Sequence, residues 1–189
     1  MNTGNRRDPE NAGHPADARA ALVIGGRSGV GKSTVAWEVS ALLQGEGIAH
    51  CFVEGDFMDQ IHPAPAGDPH RSAITERNLA SVWANYAALG QRRLIYTNTV
   101  SVLEAQMVRR AMGGGPVRVT RVLLTAGDSV TRGRLAERER GSQLSAHVER
   151  SALMAERLDS QAPPETIRIA TDDRTVGDIA REVRGATGW

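Results

Sequence analysis

Short continuous apolar runs alternate along this chain with segments in which apolar residues recur every three or four positions. The runs at residues 20–25, 48–53, 93–96, 117–125 and 166–170 predict strands of a buried sheet. The periodic segments predict helices, one over 32–43 through Val35, Val39, Leu42 and Leu43, another over 74–89 through Leu79, Val82, Trp83, Tyr86 and Leu89. Trp83 and Tyr86 then read as core residues of that second helix. Further helices are expected at 102–112, 129–138, 144–158 and 175–184. Gly45 and Gly47 stop the first helix and Gly90 caps the second. Residues 62–71 (HPAPAGDPHR) hold three prolines and a glycine and read as a loop. Strands that alternate with helices predict a parallel sheet covered on both faces, an α/β/α sandwich of three layers and five strands. Ligands of such sheets bind at the carboxyl ends of the strands, so the loops after Gly25, Val53, Tyr96 and Thr125 are expected to line one cleft.

Length and composition narrow the class. The chain of 189 residues is long enough for one domain with a sizeable core, expected over residues 20–189. Residues 1–19 are polar, rich in Asn, Gly, Pro and Arg, and read as a disordered tail, a linker or a processed leader. A net charge of +1 gives no electrostatic case for a nucleic-acid or membrane-surface partner. No apolar run approaches the roughly 20 residues that cross a bilayer. The one cysteine, Cys51, sits in an apolar run as a buried strand residue and fits a cytoplasmic location. Of the 23 basic residues, Lys32 alone is lysine. Arginine serves every other need for positive charge, and the exception stands where a compact ammonium has to enter a phosphate cradle.

That place is the loop after the first strand. Gly26, Arg27, Ser28, Gly29, Val30, Gly31, Lys32 and Ser33 match G-x-x-x-x-G-K-[ST] at every defined position, with a strand before and a helix after. Such a loop curls so that backbone N–H groups and the positive end of the next helix face phosphate oxygens. The expected nucleotide-binding residues run from Gly26 through Thr34; Lys32 is expected on the β- and γ-phosphates and the Ser33 hydroxyl on Mg²⁺. The fold expected is therefore that of a P-loop NTPase, with ATP and Mg²⁺ as cofactors.

The class of P-loop protein follows from what else is present. Guanine recognition by Asn-Lys-x-Asp needs a second lysine, which the chain lacks. The third strand runs into Thr97-Asn98 without the carboxylate of motor and transporter ATPases. What remains is Asp56, just past the second strand, placed to orient an acceptor hydroxyl and take its proton, or alternatively to cap the short helix that follows. Gly55-Asp56-Phe57 with His62-Pro63 downstream, and Arg134-Leu135-x-x-Arg138 after the fourth strand, resemble gluconate kinase, with adenylylsulfate kinase and chloramphenicol phosphotransferase as more distant relatives. Four residues separate Phe57 from His62, where the gluconate kinase run has one. The resemblance implies a P-loop small-molecule kinase with a helical lid at about residues 132–158. Within Arg132, Arg134, Arg138 and Arg140, it implies Arg138 as the residue that closes over the transferred phosphoryl group. His62, His70 and Arg71 lie in the loop where an acceptor would dock. The expected activity is ATP- and Mg²⁺-dependent transfer to a hydroxyl of a small molecule, by a monomer or homodimer, with Lys32, Asp56 and Arg138 catalytic. Two alternatives stay open at this point: a kinase for a nucleic-acid 5′-hydroxyl, and an ATP-binding regulatory or resistance protein that transfers nothing.

Overall fold

The computed structural model describes residues 18–138 and 144–189. Five strands, β1 (Arg19–Gly25), β2 (Cys51–Glu54), β3 (Arg93–Thr97), β4 (Val117–Thr125) and β5 (Ile167–Ala170), form one parallel sheet in the order β2-β3-β1-β4-β5. Among the described residues, five α-helices connect them, α1 (Lys32–Gly45), α2 (Ser72–Ala88), α3 (Ala105–Ala111), α4 (Asp128–Arg138) and α5 (Leu144–Gln161), and a sixth, α6 (Val176–Thr187), follows β5. The α/β fold read from the alternation is the fold observed.

Alternation along β1 divides the core into two layers. Leu22 and Ile24 pack with Val35, Val39 and Leu43 of α1 and Ile179 and Val183 of α6 on one face. Ala21 and Val23 pack with Leu79 and Trp83 of α2 and Met107 and Val108 of α3 on the other. A strand apolar on both faces has no polar stripe, which is why the run from 20 to 25 was readable as central. Trp83 is core, as its spacing predicts, whereas Tyr86 lies at the surface with 36% of its area exposed.

Several boundaries differ from the sequence expectation, each for a local reason. Arg19 belongs to β1 and not to the tail: it pairs in register with Val117, and its guanidinium bonds the Met112 carbonyl. Residues 1–17, the rest of the expected tail, lie outside the described residues. The second strand starts at Cys51 rather than residue 48, because the Ile48 N–H returns to the Leu43 carbonyl at 2.8 Å and closes the end of α1. The strand also runs one residue further, to Glu54, which stands beside Thr97 of β3. The third helix begins at Ala105, not 102, because Val102 turns inward to pack on Leu123 and Leu158. No helix among the described residues is long and apolar enough to cross a membrane.

Candidate active site

The neighbours of β1 are β3 on one side and β4 on the other: the chain passes from β1 to β2 on the β3 side and crosses from β3 over to β4 on the other, and a crevice opens above the carboxyl end of β1. The loop of residues 26–31 occupies that crevice. Gly26 has φ 144°, and a Cβ there would stand 2.6 Å from the Leu124 carbonyl oxygen, so only glycine lets the loop leave β1 so close to β4. Gly31 has φ 94° and precedes α1, and a Cβ there would meet nothing within 4 Å. The second glycine therefore faces a hollow into which a ligand can enter. Val30 is buried in the core beneath and fixes the loop from below.

The polar groups of the loop are arranged in two sets. Three of its carbonyls are taken: the Lys32 ammonium donates to the Arg27 oxygen at 3.3 Å, the Ser151 hydroxyl to the Ser28 oxygen at 3.1 Å, and the Arg134 guanidinium to the Gly29 oxygen at 3.4 Å. The N–H groups of Ser28, Gly29 and Gly31 donate to nothing among the described residues. Donors left open at the start of a helix are what an anion requires, and the α1 dipole adds to the attraction. Mg²⁺ and a nucleotide triphosphate fit such a cradle, with Ser33 and Thr34 in the first turn of α1.

Arg27 does not point into the cradle. Its guanidinium is buried, forms an ion pair with Asp128 at the start of α4, and donates through Nε to Ser151 Oγ of α5 at 3.2 Å. The hydrogen bond from Arg27, then its charge, hold the Asp128 carboxyl below the usual range. Arg134 also donates to the Thr171 hydroxyl at 3.2 Å, beyond β5. The two helices that carry the expected lid are thus tied to the phosphate loop by Arg27 and Arg134. Arg138 ends α4, four residues and one turn beyond Arg134; its side chain and the whole of Arg140 lie outside the described residues.

The carboxyl ends of β2 and β3 add a residue that sequence reasoning passed over. Glu54 Oε1 accepts from the Ser33 hydroxyl at 2.7 Å and from the Thr97 hydroxyl at 3.0 Å. Glu54 and Ser33 thereby present hard oxygen ligands side by side, the chemistry that suits Mg²⁺. The signal was the period of two: Glu54 shares a face with Phe52, which packs edge-on against Trp37 of α1 at 4.9 Å, so Glu54 points toward the start of α1.

Asp56 stands in the 3-10 turn Gly55–Phe57, exposed. It does not cap that turn: Glu54 holds the cap position and no side chain bonds there. Under this turn lies Tyr96, whose ring approaches Gly55 so closely that a Cβ there would be 2.6 Å from the phenol oxygen. The Tyr96 hydroxyl is buried, and burial, with the charges of Glu104, Asp56 and Asp59, pushes its pKa well above the usual value. The same acids do not come close enough to hold a metal ion among themselves. His62 and Arg71 line one cavity beyond Asp56, while His70 is not part of it.

No family model and no curated protein matches this chain in sequence. Solved structures do match it. A gluconokinase from Sinorhizobium meliloti is 20% identical, with a TM-score of 0.56 over 89% of this chain and 91% of that one. The tunicamycin resistance protein of Deinococcus radiodurans is 18% identical, with a TM-score of 0.60 over 90% and 96%. The APS kinase of Mycobacterium tuberculosis, in complex with AMPPNP and APS, is 17% identical, with a TM-score of 0.56 over 91% and 99%. With its five parallel strands and its loop between β1 and α1, the chain has the fold of the P-loop small-molecule kinases.

Proposed function

We propose that the chain is an ATP- and Mg²⁺-dependent phosphotransferase that acts on a hydroxyl of a small molecule. The observation that carries the reading is a juxtaposition above the ends of three adjacent strands. The open cradle follows β1, the Ser33–Glu54 pair joins the start of α1 to the end of β2 with Thr97 of β3 beside it, and the exposed Asp56 carboxylate follows β2.

In this reading the N–H groups of the loop and the Lys32 ammonium hold the β- and γ-phosphates and keep the γ-phosphorus in line with the acceptor. Ser33, with Glu54 behind it, would hold Mg²⁺, which when bound neutralises charge between the phosphates. Asp56 orients the acceptor hydroxyl and takes its proton as the new oxygen–phosphorus bond forms and the bond to the leaving ADP oxygen breaks. Arg138 closes over the transferred group from the end of α4. Thr97 and Thr171 brace the site from below, the first through Glu54 and the second through Arg134.

The neighbours named gluconokinase and APS kinase support the reaction class and leave the acceptor to the site itself. The test is acceptor-dependent ADP formation by the wild type and by Asp56→Asn. General-base participation amounts to roughly 10²–10⁴ in rate. A loss of that size with unchanged ATP affinity is expected, and undiminished transfer by the variant would remove Asp56 from the chemistry.

A further inference from the structure

The loop between β2 and α2 carries a cavity of about 290 Å³ lined by Asp59, Gln60, Ile61, His62 and Arg71. It adjoins the proposed acceptor position, because Gln60 donates from its amide to the Asp56 carbonyl at 2.6 Å. Its two full charges have opposite sign and do not meet: neither Asp59 nor Arg71 forms an ion pair among the described residues. The Arg71 Nε is buried and has no hydrogen-bond partner among the described residues. Asp68, the acid nearest to Arg71 in sequence, is occupied elsewhere, accepting from the Ile74 N–H at 3.0 Å.

The backbone of Arg71 is constrained at both ends. Its N–H donates to the Asp68 carbonyl at 3.0 Å, and its own carbonyl accepts from the Thr75 hydroxyl at 2.8 Å. It adopts φ 57°, the left-handed region that a residue with a side chain enters at a cost. A guanidinium held against that cost, with a buried donor unused, points to a group that arrives from outside.

We propose that the acceptor is a zwitterion, a small hydroxylated molecule whose carboxylate is received by Arg71 and whose ammonium is received by Asp59. The inference rests on the phosphotransfer reading and deepens it. A planar guanidinium matches a carboxylate through two parallel hydrogen bonds. A molecule with only an anionic group would leave Asp59 facing like charge. A molecule with only a cationic group would leave the buried Arg71 donor unpaired. Sites built in this way reject analogues that lack one partner. The transfer itself is balanced: the acceptor oxygen bonds to the γ-phosphorus, ADP leaves with the electron pair of the broken bond, and the hydroxyl proton goes to Asp56.

The experiment measures kcat/KM for Mg²⁺- and acceptor-dependent ADP formation with matched triplets. L-serine, L-homoserine and D-glucosaminate are each assayed beside the deaminated hydroxy acid and the decarboxylated or cationic amino alcohol of the same skeleton. At least one zwitterion is expected to exceed both of its counterparts by about tenfold or more. Arg71→Gln should erase the advantage over the amino alcohol and spare that over the hydroxy acid, with KM raised and kcat nearly unchanged. Asp59→Asn should do the reverse. Arg71→Gly removes the guanidinium while suiting the left-handed backbone, so it separates loss of recognition from loss of fold. Preference for a singly charged member in every triplet overturns the inference, as does activity with none of the zwitterions. So does an equal loss on all three members in both variants. Calorimetric binding of Mg·ATP, retained in the Arg71 and Asp59 variants, tests the phosphate site separately.

Discussion

Glu54 is the residue at which scaffold and site separate most cleanly. Its Oε1 accepts from Ser33 at 2.7 Å and from Thr97 at 3.0 Å, and Thr97 is fully buried. Glu54→Ala takes the acceptor from both hydroxyls. A buried hydroxyl left unsatisfied costs about 1–3 kcal/mol, and in a chain of this size each kcal/mol moves Tm by about 2–4 °C. The Ala variant should therefore melt about 2–12 °C below the wild type. Glu54→Gln keeps an oxygen where Oε1 stands, so its melting point should fall by no more than about 2 °C. What Gln lacks is charge. Loss of an oriented carboxylate beside a metal ligand typically weakens binding about 10–100-fold, so the Gln variant should bind Mg²⁺ that much more weakly in the presence of a non-hydrolysable ATP analogue. Scanning calorimetry of the three ligand-free proteins, followed by Mg²⁺ titrations, reads both effects. Equal melting of the Gln and Ala variants, or wild-type Mg²⁺ affinity in the Gln variant, would refute the assignment of Glu54.

Three further outcomes follow from individual residues. Lys32→Ala should abolish tight ATP binding in a calorimetric titration while leaving the circular-dichroism spectrum unchanged, because the ammonium serves the cradle and its departure opens no apolar cavity. Gly31→Ala should cost about 1–2 kcal/mol for a side chain at φ 94° and weaken nucleotide binding more than tenfold, since the new methyl group enters the hollow; both are read by thermal melts with and without Mg·ATP. The Cys51 thiol, pushed up to about 12 by burial and 7% exposed, is neutral at pH 8 and should resist iodoacetamide in the folded protein, then react at once in denaturant.

The parts of the fold that were legible in the sequence are those where one physical demand acts alone. A central strand such as β1 has to be apolar on both faces, and a long helix such as α2 has to show its stripe. The phosphate loop was legible because backbone curvature demands glycine at φ values of 144° and 94°. Where two demands compete, the reading slipped. Ile48 is apolar like a strand residue, yet it serves the end of α1; Val102 has the spacing of a helix, yet it fills a gap against Leu158. In the site, Glu54 was hidden because it sits one residue past the expected strand end, and its partner Thr97 lies 43 positions away. Arg27 reads as a phosphate-binding residue because it sits in the loop, and its side chain turns instead to Asp128 and Ser151. Those ties depend on residues more than a hundred positions along the chain, a separation that spacing in the sequence does not encode.

The central claim is that the β1–α1 loop delivers the γ-phosphoryl group to a small-molecule hydroxyl held beside Asp56. The direct measurement incubates the protein, Mg²⁺ and ATP radiolabelled at the γ-phosphate with the zwitterionic and singly charged hydroxyl compounds, and follows where the label goes. The account predicts that the label moves into an organic phosphate ester, one per ADP released, and that Lys32→Ala and Asp56→Asn both abolish the transfer while only the first abolishes ATP binding. Label that stays in ATP or passes only to inorganic phosphate with every compound, or transfer that survives in Asp56→Asn, would contradict it.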